Sequence, residues 1–195
     1  DVERLAWVGT SMGGLIGMSL ASLSANPIAA LVLNDVGPVL SAEGLSRIGD
    51  YVGKAPSFDS YEACVAYTRA IAAGFGPHDD SGWDLLARHY WVRDGSRWRV
   101  HYDPRIAEPF ATAGAAGPMN LWPLFDAIQC PTLVMCGSAD GGITRGNTPT
   151  DAAEIIAQGI PGARLEVIPD GGHYAHLEQP EIWNRIALQF LDQFA

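Results

Sequence analysis

Short strand-like runs, most of them continuously apolar, stand in the first and last parts of the chain and alternate with helix-like patterns. Continuous apolar runs are typical of strands in a parallel sheet that is buried on both faces. Strands are predicted at Leu5–Val8, Ala29–Leu33, Pro131–Gly137 and Arg164–Ile168. Helices are predicted at 12–25, from Thr148 and at about 180–194. The pattern predicts an α/β fold, with a mostly parallel sheet flanked by helices.

The middle of the chain lacks this alternation. Three helical patterns and one short extended piece are predicted there, at 42–52, 61–73, 83–92 and 97–102. About eighty residues between two strands exceed an ordinary loop, so they are expected to form a structure of their own. The sequence therefore predicts a sheet domain at 1–38 and 121–195, interrupted by a helical insertion at 39–120.

The pentapeptide Gly9–Gly13 has the spacing G-x-S-x-G and lies between a predicted strand and a predicted helix. In that context the pattern is typical of a serine hydrolase's nucleophile turn, which holds the serine in a strained, accessible conformation. Ser11 is therefore the candidate nucleophile, and side chains in place of Gly9 and Gly13 are expected to collide within the turn. The N–H of Met12 is the candidate donor to an oxyanion. A plain Gly-rich turn with an idle serine is the alternative.

A nucleophilic serine needs a general base and an acid that orients the base. The candidate base is His173, in a Gly-rich loop after the last predicted strand, and His176 is the alternative. The candidate acids are Asp140, beyond the strand that ends at Gly137, and Asp35, which also follows an apolar strand. The carboxyl ends of strands are where open α/β sheets build their sites.

Several stretches of the chain resemble the α/β-hydrolase superfamily, and the resemblance extends over nearly all of the sequence. The stretches that carry it are 9–14, 133–140 and 172–180, together with 31–38, which is similar to the strand before the lid in capped members. The resemblance implies the chain order Ser, acid, His. It favours Asp140 as the acid, although some members take the acid from the position of Asp35. It also implies that the insertion is a cap that covers the active site.

The resemblance implies acyl transfer to water through an acyl-enzyme on Ser11. Epoxide hydrolases and haloalkane dehalogenases of this fold use Asp at that position, so both are disfavoured. C–C bond hydrolases usually carry a Trp soon after the triad histidine, where Tyr174 and Leu177 stand here. Hydrolysis of a carboxylic ester or lactone is therefore the predicted function. The alternatives are a C–C bond hydrolase, an acyltransferase, or a non-catalytic small-molecule receptor.

Aromatic side chains are frequent in the insertion and at its exit. Such side chains are common in the walls of apolar ligand pockets. The candidate pocket residues are Trp91, Trp98, Tyr102, Trp122 and, beside the candidate base, Tyr174. The alternative is that most of them form the insertion's own core. The predicted partner is a small apolar substrate.

The composition narrows the partners further. Hydrophobic residues make up 48% and charged residues 17% of the chain, and the net charge is -10. This acidic balance disfavours nucleic acid and anionic membranes as partners, and no apolar run approaches the length of a membrane span. No metal or cofactor is expected, because the His and Cys residues lack ligand spacing. The three cysteines favour a reducing cytoplasm, and a homo-oligomer is left open.

The chain begins almost directly with the strand that carries Ser11. In the superfamily that strand lies in the middle of the sheet, after several strands and the loop that supplies the second oxyanion donor. The remaining N-terminal part of the same protein is therefore expected as a partner of this chain. The 195 residues alone are expected to be an incomplete and inactive enzyme.

Overall fold

The computed structural model describes residues 3–40, 42–54, 56–73, 78–108, 118–138 and 159–194. The chain divides into two compact units. The first comprises Asp1–Leu40 and Asn120–Ala195, and the second comprises Ser41–Met119. The role of the second unit as a cap stays a prediction.

The chain enters the first unit with two strands that flank a helix. The elements are β1 (Leu5–Thr10), α1 (Met12–Ala21), β2 (Ile28–Asn34) and the short β3 (Val39–Leu40). Helix α1 ends four residues before the predicted end. The physical reason is the side chain of Asn26, whose Nδ2 donates to the carbonyls of Ala21 at 3.2 Å and Leu23 at 2.7 Å. Asn26 thus satisfies carbonyls that a longer helix would have used.

The second unit contains helices and a small antiparallel sheet. Its elements are α2 (Ala42–Gly49), β4 (Ser57–Phe58), α3 (Tyr61–Ile71), α4 (Asp80–Tyr90), β5 (Trp91–Asp94), β6 (Arg97–Val100) and a 3-10 helix (Pro104–Ala107). The sheet has the order β4-β6-β5. The prediction of a helical insertion was therefore incomplete. Helix α4 ends where Trp91 becomes extended, and Gly95 turns the chain into β6 at a positive φ of 59°.

The chain then returns to the first unit. Strand β7 (Met119–Asn120) contains the last residue of the second unit and the first residue of the returning segment. The remaining elements of the first unit are α5 (Trp122–Phe125), β8 (Thr132–Gly137), β9 (Arg164–Ile168), α6 (Ala175–Glu178) and α7 (Pro180–Leu191). The N–H of Leu121 donates to the carbonyl of Pro38 at 2.7 Å, which joins the two chain segments that flank the second unit. The helix predicted from Thr148 lies outside the described residues.

The described sheet of the first unit has the order β1-β2-β8-β9, and all of its pairings are parallel. Thr10 pairs with Asn34, and Asn34 pairs with Met135, so the carboxyl ends of the three strands align at one edge. This confirms the predicted fold class. The edge at which these strand ends align is where the candidate site residues were predicted.

Alternate side chains of β2 point to opposite faces of the sheet, and each face has its own apolar core. Leu31 and Leu33 pack with Met18 of α1. Ala30 and Val32 pack with a cluster that includes Trp183 and Phe190 of α7. Burial of each large apolar side chain contributes roughly 1.5–3 kcal/mol. Packing on both faces explains why β2 is apolar until its last residue, Asn34.

Candidate active site

Ser11 occupies a sharp turn between β1 and α1. Its backbone angles are φ 51° and ψ -116°, a conformation that a non-glycine residue rarely adopts. The N–H of Ser11 donates to the carbonyl of Asn34 at 3.1 Å, which fixes the turn against the end of β2. A Cβ atom on Gly9 would lie 2.3 Å from the carbonyl oxygen of Gly13 and 2.5 Å from the nitrogen of Gly14. The turn therefore requires glycine at position 9.

Gly13 does not share this requirement. A Cβ atom built on Gly13 meets no atom within 4 Å, so the expectation of a collision there was wrong. The reason is that residue 13 already lies inside helix α1, where side chains project outward. Its carbonyl has a separate role, since it accepts a hydrogen bond from Trp7 Nε1 at 2.9 Å.

Met12 is the first residue of helix α1. The N–H groups of the first helical turn have no acceptor within the helix, and the helix dipole favours negative charge there. The Met12 side chain is exposed. The oxyanion role of the Met12 N–H is consistent with this placement and stays a prediction.

His173 pairs with Asp35. The ring atom Nδ1 of His173 lies 2.5 Å from Oδ2 of Asp35, and the two side chains are 16% and 1% exposed. Asp35 directly follows β2, at a positive φ of 52°, and its N–H donates to the carbonyl of Met135 at 2.7 Å. A buried carboxylate on Nδ1 is the arrangement that fixes a catalytic histidine's tautomer and stabilises its protonated form.

The sequence favoured Asp140 as the acid, and Asp140 lies outside the described residues. Within the described part of the chain, the carboxylate on His173 belongs to Asp35, which was the alternative. The two acids follow neighbouring strands of the sheet. The contact makes Asp35 the candidate acid within the described residues, and the assignment of the acid stays a prediction.

The loop that carries His173 packs against the end of β8. A Cβ atom on Gly137 would lie 2.1 Å from the carbonyl oxygen of Gly171, so the two backbones are in close contact. The N–H of Asp170, at a positive φ of 55°, donates to Ser138 Oγ at 2.9 Å. The end of β8 therefore shapes the loop that presents His173.

Two side chains that the sequence analysis did not single out bind the backbone of this loop. Asn34 Nδ2 donates to the carbonyl of His173 at 3.3 Å. The carboxylate of Glu178 accepts hydrogen bonds from the N–H of Gly172 and, at 3.1 Å, from the N–H of Tyr174. The one sequence signal for Asn34 is its polarity at the end of an apolar strand, and Glu178 carries none beyond its closeness to His173.

His176, the alternative base, occupies a different environment. Its ring packs against those of Tyr174 and Trp183, with centroid distances of 5.8 Å in each case. Burial and the nearby charge of His173 hold the pKa of His176 below its ordinary value. The described residues provide no hydrogen-bond partner for Nδ1 of His176, whereas Nδ1 of His173 has its acid.

The predicted pocket residues fall into three environments. Trp91, 3% exposed, and Trp98 pack in the aromatic core of the second unit, where Tyr102 also lies. Trp122 packs against Phe125 in the first unit, with ring centroids 5.4 Å apart. Tyr174 lies beside His173, with ring centroids 5.3 Å apart. Tyr174 is thus adjacent to the candidate base, and the burial of Trp91 favours the packing alternative. Contact with substrate stays a prediction for all five.

Cys136 lies near the site, in strand β8. Burial, together with the charge of Asp35, raises the pKa of its thiol to about 11. A thiol with that pKa is protonated at neutral pH and is a poor nucleophile. Ser11 therefore stays the candidate nucleophile, and Cys136 does not compete with it.

Neither a metal cluster nor a membrane span occurs within the described ranges. No three or more His, Cys, Asp and Glu side chains there gather in a way that could hold a metal ion. None of the described helices has the length and apolarity that crossing a bilayer requires.

Comparison with known proteins decides the family. The sequence model of the Alpha/beta hydrolase family matches residues 1–186. The chain belongs to this family. The resemblance drawn from the motifs around Ser11 and His173 is thereby confirmed.

This chain is similar to several proteins that are named hydrolases. It is 41% identical over 181 residues to the 3-hydroxybutyrate-oligomer hydrolase of Cupriavidus necator, covering 89% of this chain and 60% of that protein. It is 31% identical over 203 residues to the 2-hydroxy-6-oxo-6-phenylhexa-2,4-dienoate hydrolase of Comamonas testosteroni, covering 98% of this chain and 64% of that protein.

A solved structure agrees with the family assignment. The alpha/beta hydrolase from Novosphingobium aromaticivorans matches with a TM-score of 0.74 and 34% identity, over 95% of this chain and 64% of that one. The chain spans less than two thirds of the length of each of these three proteins.

Proposed function

We propose that this chain carries the active site of a serine hydrolase that cleaves carboxylic esters, with Ser11 as nucleophile, His173 as general base and Asp35 as the acid. The observation that carries the proposal is the hydrogen-bonded link from Ser11 through Asn34 to His173. Asn34 accepts from the Ser11 N–H and donates to the His173 carbonyl. His173 in turn pairs with Asp35. The proposed nucleophile follows β1 and the proposed acid follows β2, and Asn34 connects the turn of Ser11 to the loop of His173.

The proposed reaction has two halves. Ser11 Oγ attacks the ester carbonyl while His173 Nε2 takes the hydroxyl proton, and a tetrahedral intermediate forms. The intermediate collapses with cleavage of the C–O bond, and the leaving alcohol receives the proton from His173. Water then attacks the acyl-enzyme, with His173 again as base, and releases the carboxylic acid and free Ser11. The carboxylate of Asp35 accepts a hydrogen bond from Nδ1–H of His173 throughout the reaction.

The oxyanion of each tetrahedral intermediate needs hydrogen-bond donors. We assign one to the Met12 N–H, because it follows the nucleophile at a helix N-terminus. Such a donor contributes roughly 3 kcal/mol to transition-state stabilisation. A second donor in this family comes from a loop after an earlier strand, and its source is left open.

For the substrate, we propose short oligoesters of 3-hydroxy acids as the first compounds to test. The support is the 41% identity to a 3-hydroxybutyrate-oligomer hydrolase. A serine triad suits such a bond, since the acyl part stays on Ser11 while the hydroxyl of the next unit leaves. Hydrolysis of a C–C bond is the second candidate, and the 31% identity to a dienoate hydrolase over 98% of the chain supports it.

The test uses the intact protein with a small panel of substrates. The panel contains p-nitrophenyl butyrate, a 3-hydroxybutyrate dimer and trimer, a lactone and a 2-hydroxy-6-oxo-dienoate. We expect turnover of the esters, its loss in Ser11→Ala with folding unchanged, and labelling of Ser11 by a fluorophosphonate. Labelling that persists in Ser11→Ala would refute the assignment of Ser11 as the nucleophile. Tight binding without turnover would favour a receptor, and turnover of the dienoate alone would favour C–C cleavage.

A further inference from the structure

The backbone around His173 forms hydrogen bonds to side chains at three polar groups, one in each of three consecutive residues. The N–H of Gly172 and the N–H of Tyr174 both donate to the carboxylate of Glu178. Between them, the carbonyl of His173 accepts from Asn34 Nδ2. Asn34 and Glu178 thus bind the loop backbone next to the His173 side chain, and neither residue takes part in the proposed proton transfer.

Asn34 can hold its amide group in one orientation only. Trp183 Nε1 donates to Asn34 Oδ1 at 2.6 Å, and an indole N–H is a donor only. The His173 carbonyl is an acceptor only, so the amide must present Nδ2 to it. Asn34 is fully buried, and its own carbonyl receives the Ser11 N–H. One residue thus fixes the nucleophile turn and the histidine loop relative to each other.

Glu178 acts from the other side of the loop. Its two carboxylate oxygens accept from two different N–H groups, Oε2 from Gly172 and Oε1 from Tyr174. Charged acceptors form hydrogen bonds about twice as strong as neutral ones. A glutamine in the same place has one oxygen, so its NH2 group would face an N–H donor. The loop therefore requires a carboxylate.

We propose that Asn34 and Glu178 are positioning residues, which hold the His173 ring at the correct distance from Ser11 by fixing the backbone on both sides of it. The inference rests on the proposed function. A catalytic group displaced by about 1 Å can lower the rate by about 100-fold. Because positioning acts on the chemical step, loss of either residue should lower kcat and leave KM nearly unchanged.

The kinetic test compares Asn34→Leu, Glu178→Gln and the double variant with Ile128→Val in the intact protein. Ile128 is fully buried in the apolar core, so this control reports a modest loss of stability without a change at the loop. We expect kcat to fall about 10- to 100-fold in each single variant, with KM within about threefold. The double variant should lose less than the product of the single losses, since both residues hold one loop.

If kcat of Glu178→Gln matches that of Ile128→Val, the two residues only stabilise the fold and the inference is wrong. Should Asn34→Leu fail to fold, Trp183→Phe replaces it, because it keeps the amide but removes the donor that orients it. A change in KM alone would assign the residues to substrate binding instead.

A spectroscopic readout separates this inference from the proposed function. The short contact between His173 Nδ1 and Asp35 should give a low-field imidazole proton signal in NMR, which Asp35→Asn abolishes. Glu178→Gln should broaden or shift that signal, and Ile128→Val should not. If esters are not cleaved but the signal responds in this way, positioning stands and the ester hydrolase proposal fails. If esters are cleaved and the signal is unchanged in Glu178→Gln, positioning fails.

Discussion

Asp35 and Asp140 are the two candidate acids for His173, and substituting each in turn distinguishes their roles. Asp35→Asn should lower kcat for p-nitrophenyl butyrate by about 10⁴-fold, because the amide no longer fixes the His173 tautomer. Asp140→Asn should change kcat by less than about tenfold, since His173 Nδ1 is already paired with Asp35. Steady-state kinetics on both variants check this. The opposite order of effects would return the acid role to Asp140.

The two flanking glycines of the nucleophile turn should differ sharply in tolerance. Gly9→Ala places a methyl group 2.3 Å from a backbone oxygen, so the turn must distort, and turnover should fall at least 100-fold. Gly13→Ala meets open space on a helix and should alter the free energy of unfolding by no more than about 1 kcal/mol. Kinetics and urea unfolding of the pair test this, and equal damage at both positions would contradict it.

The residues whose roles depend on local sequence could be predicted from it. Ser11 and Gly9 form a turn that their own neighbours define. The pairing of His173 with Asp35 could not be predicted, because Asp35 and Asp140 follow adjacent strands and only the three-dimensional distance distinguishes them. The contact of Asn34 with His173 could not be predicted for the same reason, because the two residues are 139 positions apart in the sequence.

At the scale of elements, the aromatic core of the second unit depends on one buried polar contact. Trp91 Nε1 donates to Thr68 Oγ1 at 2.9 Å, and that hydroxyl donates to the Cys64 carbonyl at 2.9 Å. Thr68→Val leaves the indole N–H without its acceptor and should cost about 1–3 kcal/mol of unfolding free energy.

The matched control for this contact is Thr68→Ser, which keeps the hydroxyl. It loses one methyl group and should cost only about 1 kcal/mol. Denaturant unfolding followed by tryptophan fluorescence gives both values. Equal losses in the two variants would mean that the methyl group, and not the hydrogen bond, stabilises this core.

Element boundaries were less predictable than element types. The helical patterns near 61–73 and 83–92 correspond to α3 and α4, and the extended piece at 97–102 corresponds to β6. Strand β5 was not foreseen, because its first two residues were predicted as helix. Apolar residues at Trp91 and Val100 fit a helix end and a strand equally well in sequence. Their direct pairing across the hairpin settles the choice, and that pairing is tertiary information.

For the whole molecule, half-buried His176 predicts a loss of stability in acid. Its folded pKa lies below the ordinary value of about 6.5, so the unfolded chain binds more protons. The free energy of unfolding is therefore highest, as far as His176 contributes, above about pH 6.5. It decreases as the pH falls below about 6.5. His176→Gln should reduce the slope of unfolding free energy against pH in this range.

The control for that slope is His89→Gln, because His89 is exposed on helix α4. Urea unfolding of the three proteins between pH 5 and pH 8 gives the slopes. The parent protein and His89→Gln should have similar slopes, steeper than that of His176→Gln. A slope of His176→Gln equal to that of the parent would show that acid acts through other groups.

Pairing between β2 and β8 joins residues about a hundred positions apart, such as Leu31 and Thr132. Such non-local contacts are formed late and slowly when a flexible chain must close the intervening loop. Here the segments at the two ends of the intervening unit meet, where Leu121 donates to Pro38. When the second unit is formed, its two chain ends are close together, so β2 and β8 can pair as they would across a short loop. We therefore expect the length of the insertion to have little effect on the rate at which β2 and β8 pair.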